Sequence, residues 1–370
     1  MIKTKSILVI LLPLCLAFFS TTSHARNAAI LIDAESGKIL NELEATQSWF
    51  PASLTKVMTL YLAFTALNQG QIDLRDQITV SPHAARQPNS KLGLRTGEHI
   101  SVQEAILAII TRSANDAAVA LGEHLGGNEE NFAMKMTAKA HAIGMFDSHF
   151  MNATGLPHPW QVTTARDMGL LAWRTMHDFP QYYGYFGAHS FYFRGTELRG
   201  INKFTATYPG AEGMKTGFTC GSGYNLMSSA SQNGKRLIGV ILGGQTSPHR
   251  YQLMISMMNH GFAGDFTPSE KTITAIPVKT TGSAPYLLGC GNSSATHSSY
   301  DNDSSPSPVI HHLSNKHAKH SRHHRAVAPK TAPIISRHKP ASHHAKTVKK
   351  AVAKSKPQKR HRRRPLLNRP

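Results

Sequence analysis

No stretch of this sequence holds the roughly 20 consecutive apolar residues that a membrane-spanning helix needs. Its apolar run from Ile7 to Phe19 is shorter and is interrupted by Pro13. Lys3 and Lys5 precede the run and Ser23-His24-Ala25 follows it, the layout of a secretory leader cleaved after Ala25. Cys15 would leave with that leader. Acidic residues are missing from another stretch: residues 311 to 370 hold 18 Lys or Arg and 10 His, with no Asp, Glu or aromatic residue. Such a segment cannot bury enough apolar surface to fold alone, so a disordered basic tail is expected over 301–370. Residues 1 to 310 keep 23 basic and 21 acidic residues, so +18 of the formal +20 sits in residues 311 to 370. No internal repeat of fixed period is present, only biased composition. The tail histidines lack metal-ligand spacing on a folded frame, and neither a metal nor another cofactor is expected. A basic disordered tail binds polyanions through counterion release. Because export removes nucleic acid as a physiological partner, anionic envelope polymers are the partner the tail suits.

What remains is enough for an enzyme. The 370 residues leave room for one large domain or two ordinary ones, and a 40% hydrophobic content can build a core. Ala28 to Asp33 and Ile39 to Leu43 read as strands joined at Gly37. Val57, Met58, Leu60, Tyr61, Phe64 and Leu67 recur at helical spacing and stop before Gly70. A second helical stretch runs from Val102 to Leu125, and 131 to 180 stays mainly helical with a loop at Gly155-Leu156-Pro157 and an N-cap at Thr163 or Thr164. Strand periodicity then takes over in Met214 to Thr219, Tyr224 to Ser231 and Arg236 to Leu242, the last two joined by an Asn233-Gly234 turn. Arg250 to His260 reads as a final helix ended by Gly261. The expected fold is α/β, an antiparallel sheet flanked by helices with a largely helical subdomain. Residues 266–300 are too few for a second domain of ordinary size.

The chemistry starts at Pro51-Ala52-Ser53-Leu54-Thr55-Lys56. On a helix, residues three apart share a face. A serine hydroxyl needs a neighbouring base, and a lysine kept out of water or beside other cations can lose its proton and serve as one. Alone, a serine three residues before a lysine is weak evidence, since it also describes a capping serine beside a solvated lysine. Ser113-Ala114-Asn115 lies 60 residues on, and Lys215-Thr216-Gly217 lies 102 residues after that. This trio belongs to β-lactamases and penicillin-binding proteins.

With Asn-Ala-Thr-Gly-Leu-Pro at 152–157, Thr-Ala-Arg-Asp-Met at 164–168 and Tyr-Pro-Gly-Ala-Glu-Gly-Met-Lys-Thr-Gly at 208–217, the chain resembles the low-molecular-mass penicillin-binding proteins. Within them it is similar to the serine D-alanyl-D-alanine carboxypeptidases, over about residues 27 to 265. The resemblance implies a β-lactamase/transpeptidase-like fold in a catalytic domain at 26–265. It also implies attack of a serine on D-Ala-D-Ala stem peptides of peptidoglycan, an acyl-enzyme, and covalent inhibition by β-lactams. By position it implies Ser53 as nucleophile, Lys56 as general base, Ser113 as proton relay to the leaving amine, and Asn115 as holder of the substrate amide. Lys215, Thr216 and Arg250 would take the terminal carboxylate, and Gly217 would let the peptide lie along the strand. The backbone N–H groups of Ser53 and Phe218 would form the oxyanion hole. Convergence of Lys56, Lys215 and Arg250 would itself favour a neutral Lys56 by repulsion.

Two enzyme rivals share these residues. A class A β-lactamase deacylates with a positioned glutamate, and residues 131 to 196 contain none. A D,D-endopeptidase cutting crosslinks would use the same site. A non-catalytic wall-binding protein, suggested by the tail, leaves three intact motifs unexplained. Finally, loss of the leader leaves Cys220 and Cys290 in an oxidising compartment, where a disulfide between them is expected.

Overall fold

The computed structural model describes residues 27–275. The leader, most of the 266–300 segment, Cys290 and the tail lie outside the described residues. Strands β1 (Ala28–Asp33) and β2 (Ile39–Leu43) come first, with Gly37 at φ +70° in the turn between them. A 3-10 turn at Ala52–Leu54 leads into α1 (Thr55–Asn68). Then follow β3 (Gln77–Thr79), α2 (Pro82–Ala85), β4 (His99–Ser101), α3 (Val102–Arg112), α4 (Asn115–Gly126), α5 (Glu129–Ala142) and α6 (Ala165–Asp178). Short helices α7 (Pro180–Tyr183) and α8 (Lys203–Thr207) bracket a small hairpin, β5 (Ser190–Phe193) and β6 (Thr196–Arg199). Strands β7 (Ala211–Thr219), β8 (Gly223–Gln232) and β9 (Lys235–Gly244) and helix α9 (Ser247–Ala263) close the described fold.

The main sheet is antiparallel throughout, in the order β2-β1-β9-β8-β7. The first hairpin thus pairs with the last, and β7 forms one edge. Helix α1 is buried on nearly every side, which its continuous Val-Met-Thr-Leu-Tyr-Leu-Ala-Phe run demands. Val57, Met58, Leu60, Tyr61, Phe64 and Leu67 all lie in the core. On the opposite face of the sheet Met254, Met257 and Met258 of α9 pack with Leu31 and Leu237 in a second cluster.

Helix α9 runs past Gly261, which has no room for a Cβ against Leu31 and Leu237, and ends instead at Gly264 in a left-handed cap. The expected single helix over 102–125 is two, broken at Ser113, whose φ of +56° ends α3. Thr164 caps α6 by accepting from Asp167 N. The chain continues to pack after residue 265: Ser269 N donates to Ile39 O, and Ile273 is fully buried.

Candidate active site

The site forms where the start of α1, the α3–α4 break, the 152–155 turn and the edge strand β7 meet. Ser53 sits in the 3-10 turn and Lys56 one turn into the helical run, so both side chains share a face. Lys56 Nζ lies 3.0 Å from Ser53 Oγ and donates to Thr154 O at 2.6 Å. Its side chain is fully buried. Burial is the main cause holding its pKa well below the usual 10.5. The Lys215 ammonium lowers it further, while Asp116 and Glu129 oppose. The expected repulsion between cations therefore ranks second to desolvation, and it comes from Lys215. A neutral amine at this distance can take the proton of the serine hydroxyl.

Lys215 projects from β7 and donates to Ser113 Oγ at 2.8 Å and to Thr216 O at 2.9 Å. The left-handed backbone at Ser113 is what turns this hydroxyl out of the α3 ladder toward β7. Asn115, at the start of α4, is almost buried and donates through Nδ2 to Pro88 O at 2.9 Å, while its N–H donates to Ser90 O. Asp116 follows with its carboxylate accepting from Leu92 N, Gly93 N, Leu94 N and Ala117 N. The Ser113-Ala114-Asn115 break thus organises the 88–94 loop beside the site.

Two glycines set the approach of backbones to Ser53. A Cβ on Gly217 would lie 2.9 Å from Ser53 N and 3.2 Å from Leu54 N. Strand β7 therefore runs directly against the turn that carries Ser53. Gly155, at φ +85°, leaves 1.7 Å between a would-be Cβ and Ala52 O. Its turn is built by Asn152, whose Oδ1 accepts from Thr154 N at 3.2 Å and Gly155 N at 2.8 Å.

Arg250 stands at the first turn of α9 and is almost fully buried. Its guanidinium donates to Gly217 O at 3.3 Å and to Ser247 Oγ at 3.2 Å, between the rings of Tyr224 and Tyr251. It meets the site through the β7 backbone next to Lys215 and Thr216, and Phe218 stacks on Tyr224 at 4.1 Å. Cys220 directly follows β7 and is disulfide-bonded, while Cys290 lies outside the described residues.

The sequence reading missed Asn225. Buried in β8, its Nδ2 donates to Phe50 O at 3.0 Å and Pro51 O at 3.1 Å, and its Oδ1 accepts from Gly243 N at 2.9 Å. It ties the segment before Ser53 to the sheet. An asparagine inside a strand, where its type is disfavoured, is the signal that could have found it. Beside Ser53, a groove of about 210 Å³ runs between Phe50, Leu156, Pro157, His158, Gln161 and Thr219. Among the described residues no cluster of three His, Cys, Asp or Glu could hold a metal, and no helix is long and apolar enough to cross a membrane.

The family model described as D-alanyl-D-alanine carboxypeptidase matches residues 18–246, more than half of the chain. D-alanyl-D-alanine carboxypeptidase DacC of Escherichia coli is 37% identical over 242 residues, which cover 64% of this chain and 60% of that protein. The crystal structure of penicillin binding protein 5 from Haemophilus influenzae superposes with a TM-score of 0.62 at 35% identity, over 64% of this chain and 70% of that one. Penicillin-Binding Protein D2 from Listeria monocytogenes, solved in its ampicillin-bound form, superposes at 0.59 and 29% identity, over 64% of this chain and 96% of that one. The chain spans 60% to 64% of the length of the first curated relatives it matches. The serine, lysine and strand geometry above falls inside the matched residues, and the chain belongs to the D-alanyl-D-alanine carboxypeptidase family.

Proposed function

We propose that this chain is a serine D,D-carboxypeptidase that removes the terminal D-alanine from peptidoglycan stem peptides through an acyl-enzyme, and that β-lactams acylate the same serine. The observation that carries the reading is the fully buried Lys56 amine, 3.0 Å from Ser53 Oγ and depressed in pKa by burial and by Lys215. In this reading Lys56 takes the Ser53 proton as Oγ attacks the penultimate D-alanine carbonyl. The Ser53 and Phe218 N–H groups receive the oxyanion. Ser113, held by Lys215, passes a proton to the departing amine, and the amine leaves as D-alanine. Water then hydrolyses the ester.

Lys215 and Thr216 face the substrate carboxylate, with Arg250 adding positive charge from beneath Gly217. Asn115 meets the substrate amide from the α3–α4 break. The rest of the stem peptide follows the groove past Phe50 and Leu156. Glu129 precedes the stretch that lacks glutamate, and its carboxylate is held by Ala153 N and His83. That engagement supports a slowly deacylating enzyme over a class A β-lactamase.

We further assign a leader at 1–25 and action outside the cytoplasm, a catalytic domain from residue 26, and a basic tail at 301–370 that meets anionic envelope polymers. Cys290 is assigned as the partner of Cys220, since Cys15 leaves with the leader. Incubating the purified protein with a stem pentapeptide and with a crosslinked muropeptide dimer, and weighing the products, tests the reading. Loss of one D-alanine from the pentapeptide is expected. Cleavage of the dimer alone would instead make the protein an endopeptidase.

A further inference from the structure

Glu129 opens α5 and reaches back toward the acylation centre from the side opposite the substrate strand. Its Oε1 accepts from Ala153 N at 2.9 Å, and its other oxygen lies 2.6 Å from His83 Nε2. The carboxylate is mostly buried, with its side chain 14% exposed, whereas the His83 side chain is 51% exposed on α2. Ala153, which Glu129 grips, is also gripped by α1, as is its neighbour Thr154. Thr59 Oγ1 donates to Ala153 O at 2.7 Å, and Lys56 Nζ donates to Thr154 O at 2.6 Å. One peptide step thus separates the group that Glu129 holds from the carbonyl that holds the base.

The charges acting on Lys56 come from three directions: Lys215 of β7, Asp116 of α4 and Glu129 of α5. Asp116 is enclosed by four backbone N–H groups and fixes the 92–94 loop. Glu129 is the acid that combines a charge felt by Lys56 with a direct hold on the turn carrying its acceptor. A carboxylate at the first turn of a helix also suits the helix dipole.

Resting on the acyl-transfer reading above, we propose that Glu129, steadied by His83, is a positioning residue for the acylation centre. It fixes the 152–155 turn against Lys56, and its negative charge sets where the acidic limb of the reaction falls. The charge favours protonated Lys56, so removing it should let the base lose its proton at lower pH.

The test is the pH dependence of Ser53 acylation by a fluorescent penicillin in the full chain. Glu129→Gln keeps an acceptor for Ala153 N and loses the charge. Its acidic limb should move to lower pH by about half a unit or more, with the plateau rate within roughly threefold of wild type. Glu129→Ala loses the hydrogen bond too and should show the same direction of shift with a plateau about tenfold lower. An unmoved limb in Glu129→Gln, or a lowered plateau without a shift, would overturn the proposal and leave Glu129 a structural anchor. A readout independent of catalysis is the NMR titration of Lys56 in protein with carbon-labelled lysine, identified by the signal lost in Lys56→Met. The Glu129→Gln variant should titrate at lower pH there as well. If wild-type protein were not acylated but this titration shifted, the acyl-transfer reading would fail while the Glu129 role stood.

Discussion

Lys56 and Arg166 are both buried in this fold, and their surroundings differ in one respect. Lys56 has a hydroxyl and a carbonyl as partners and another ammonium, Lys215, as an influential neighbour. Arg166, 2% exposed, has a carboxylate at 3.0 Å in Asp167 and donates to Gly144 O at 2.8 Å and Ile273 O at 3.0 Å. The arginine joins the start of α6 to the 144–148 loop and to the segment after α9. Its charge cannot be shed, because a guanidinium stays protonated. The lysine, denied a counterion in contact, can shed its proton and becomes reactive. A carboxylate in contact keeps a buried cation charged, and a buried lysine without one is disposed to lose its proton.

The comparison breaks most sharply at Lys56. Lys56→Met should lower the acylation rate about 10² to 10⁴-fold, the usual worth of a positioned general base. Stability should not fall. A lysine whose folded pKa lies below its unfolded value binds fewer protons when folded, so it weakens the fold at pH below 10.5 and relents as pH rises toward that value. Thermal melts of the variant at pH 7 should match or exceed wild type; a clear drop would mean Lys56 is structural.

Arg166→Met should do the reverse. Removing one partner of a buried pair costs roughly 3–5 kcal/mol, while acylation per folded molecule should stay within about threefold. Its cost should also depend on pH. Burial already pushes the Asp167 carboxyl up to about 6, against the pull of Ser148 and Arg166. Without Arg166 that carboxyl rises further, so the folded state binds more protons than the unfolded one and loses stability as pH climbs through 6. Denaturant unfolding at pH 5 and pH 8 checks this: the deficit should be larger at pH 8, and equal deficits would contradict the account.

A smaller effect belongs to Asn225, which holds the segment before the nucleophile without carrying charge. Asn225→Ala orphans Gly243 N and the Phe50 and Pro51 carbonyls, at a cost of about 1–3 kcal/mol. Acylation of the folded fraction should slow as well, since those carbonyls precede Ser53. Stability loss with unchanged acylation would confine Asn225 to the fold.

These contrasts also show what could be read in the sequence. Ser53 and Lys56 were legible because helical spacing alone puts them on one face. The five strands of the main sheet were legible as separate runs with the Asn233-Gly234 turn between two of them, but the pairing of β1 with β9, between segments about 200 residues apart, was not. The helical run over 102–125 was legible, whereas the left-handed backbone that divides it at Ser113 leaves no periodic signal. Strands β3 and β4, three residues each, are too short to show a period. Arg166 and Asp167 stood in a recognisable motif, but their partners at Gly144, Ser148 and Ile273 come from distant segments. Glu129 lay two residues outside the stretch that lacks glutamate, and only the folding of 152–155 onto α5 brings it to the turn that holds Lys56.

The most direct test of the central claim is the rate at which Ser53 is acylated by a penicillin, followed by intact-protein mass across pH. The account predicts a single adduct on Ser53, absent in Ser53→Ala, whose rate rises with pH through one ionisation well below 10.5. Both the rate and that ionisation should disappear in Lys56→Met. Acylation of Lys56→Met at the wild-type rate, with the same pH profile, would contradict it.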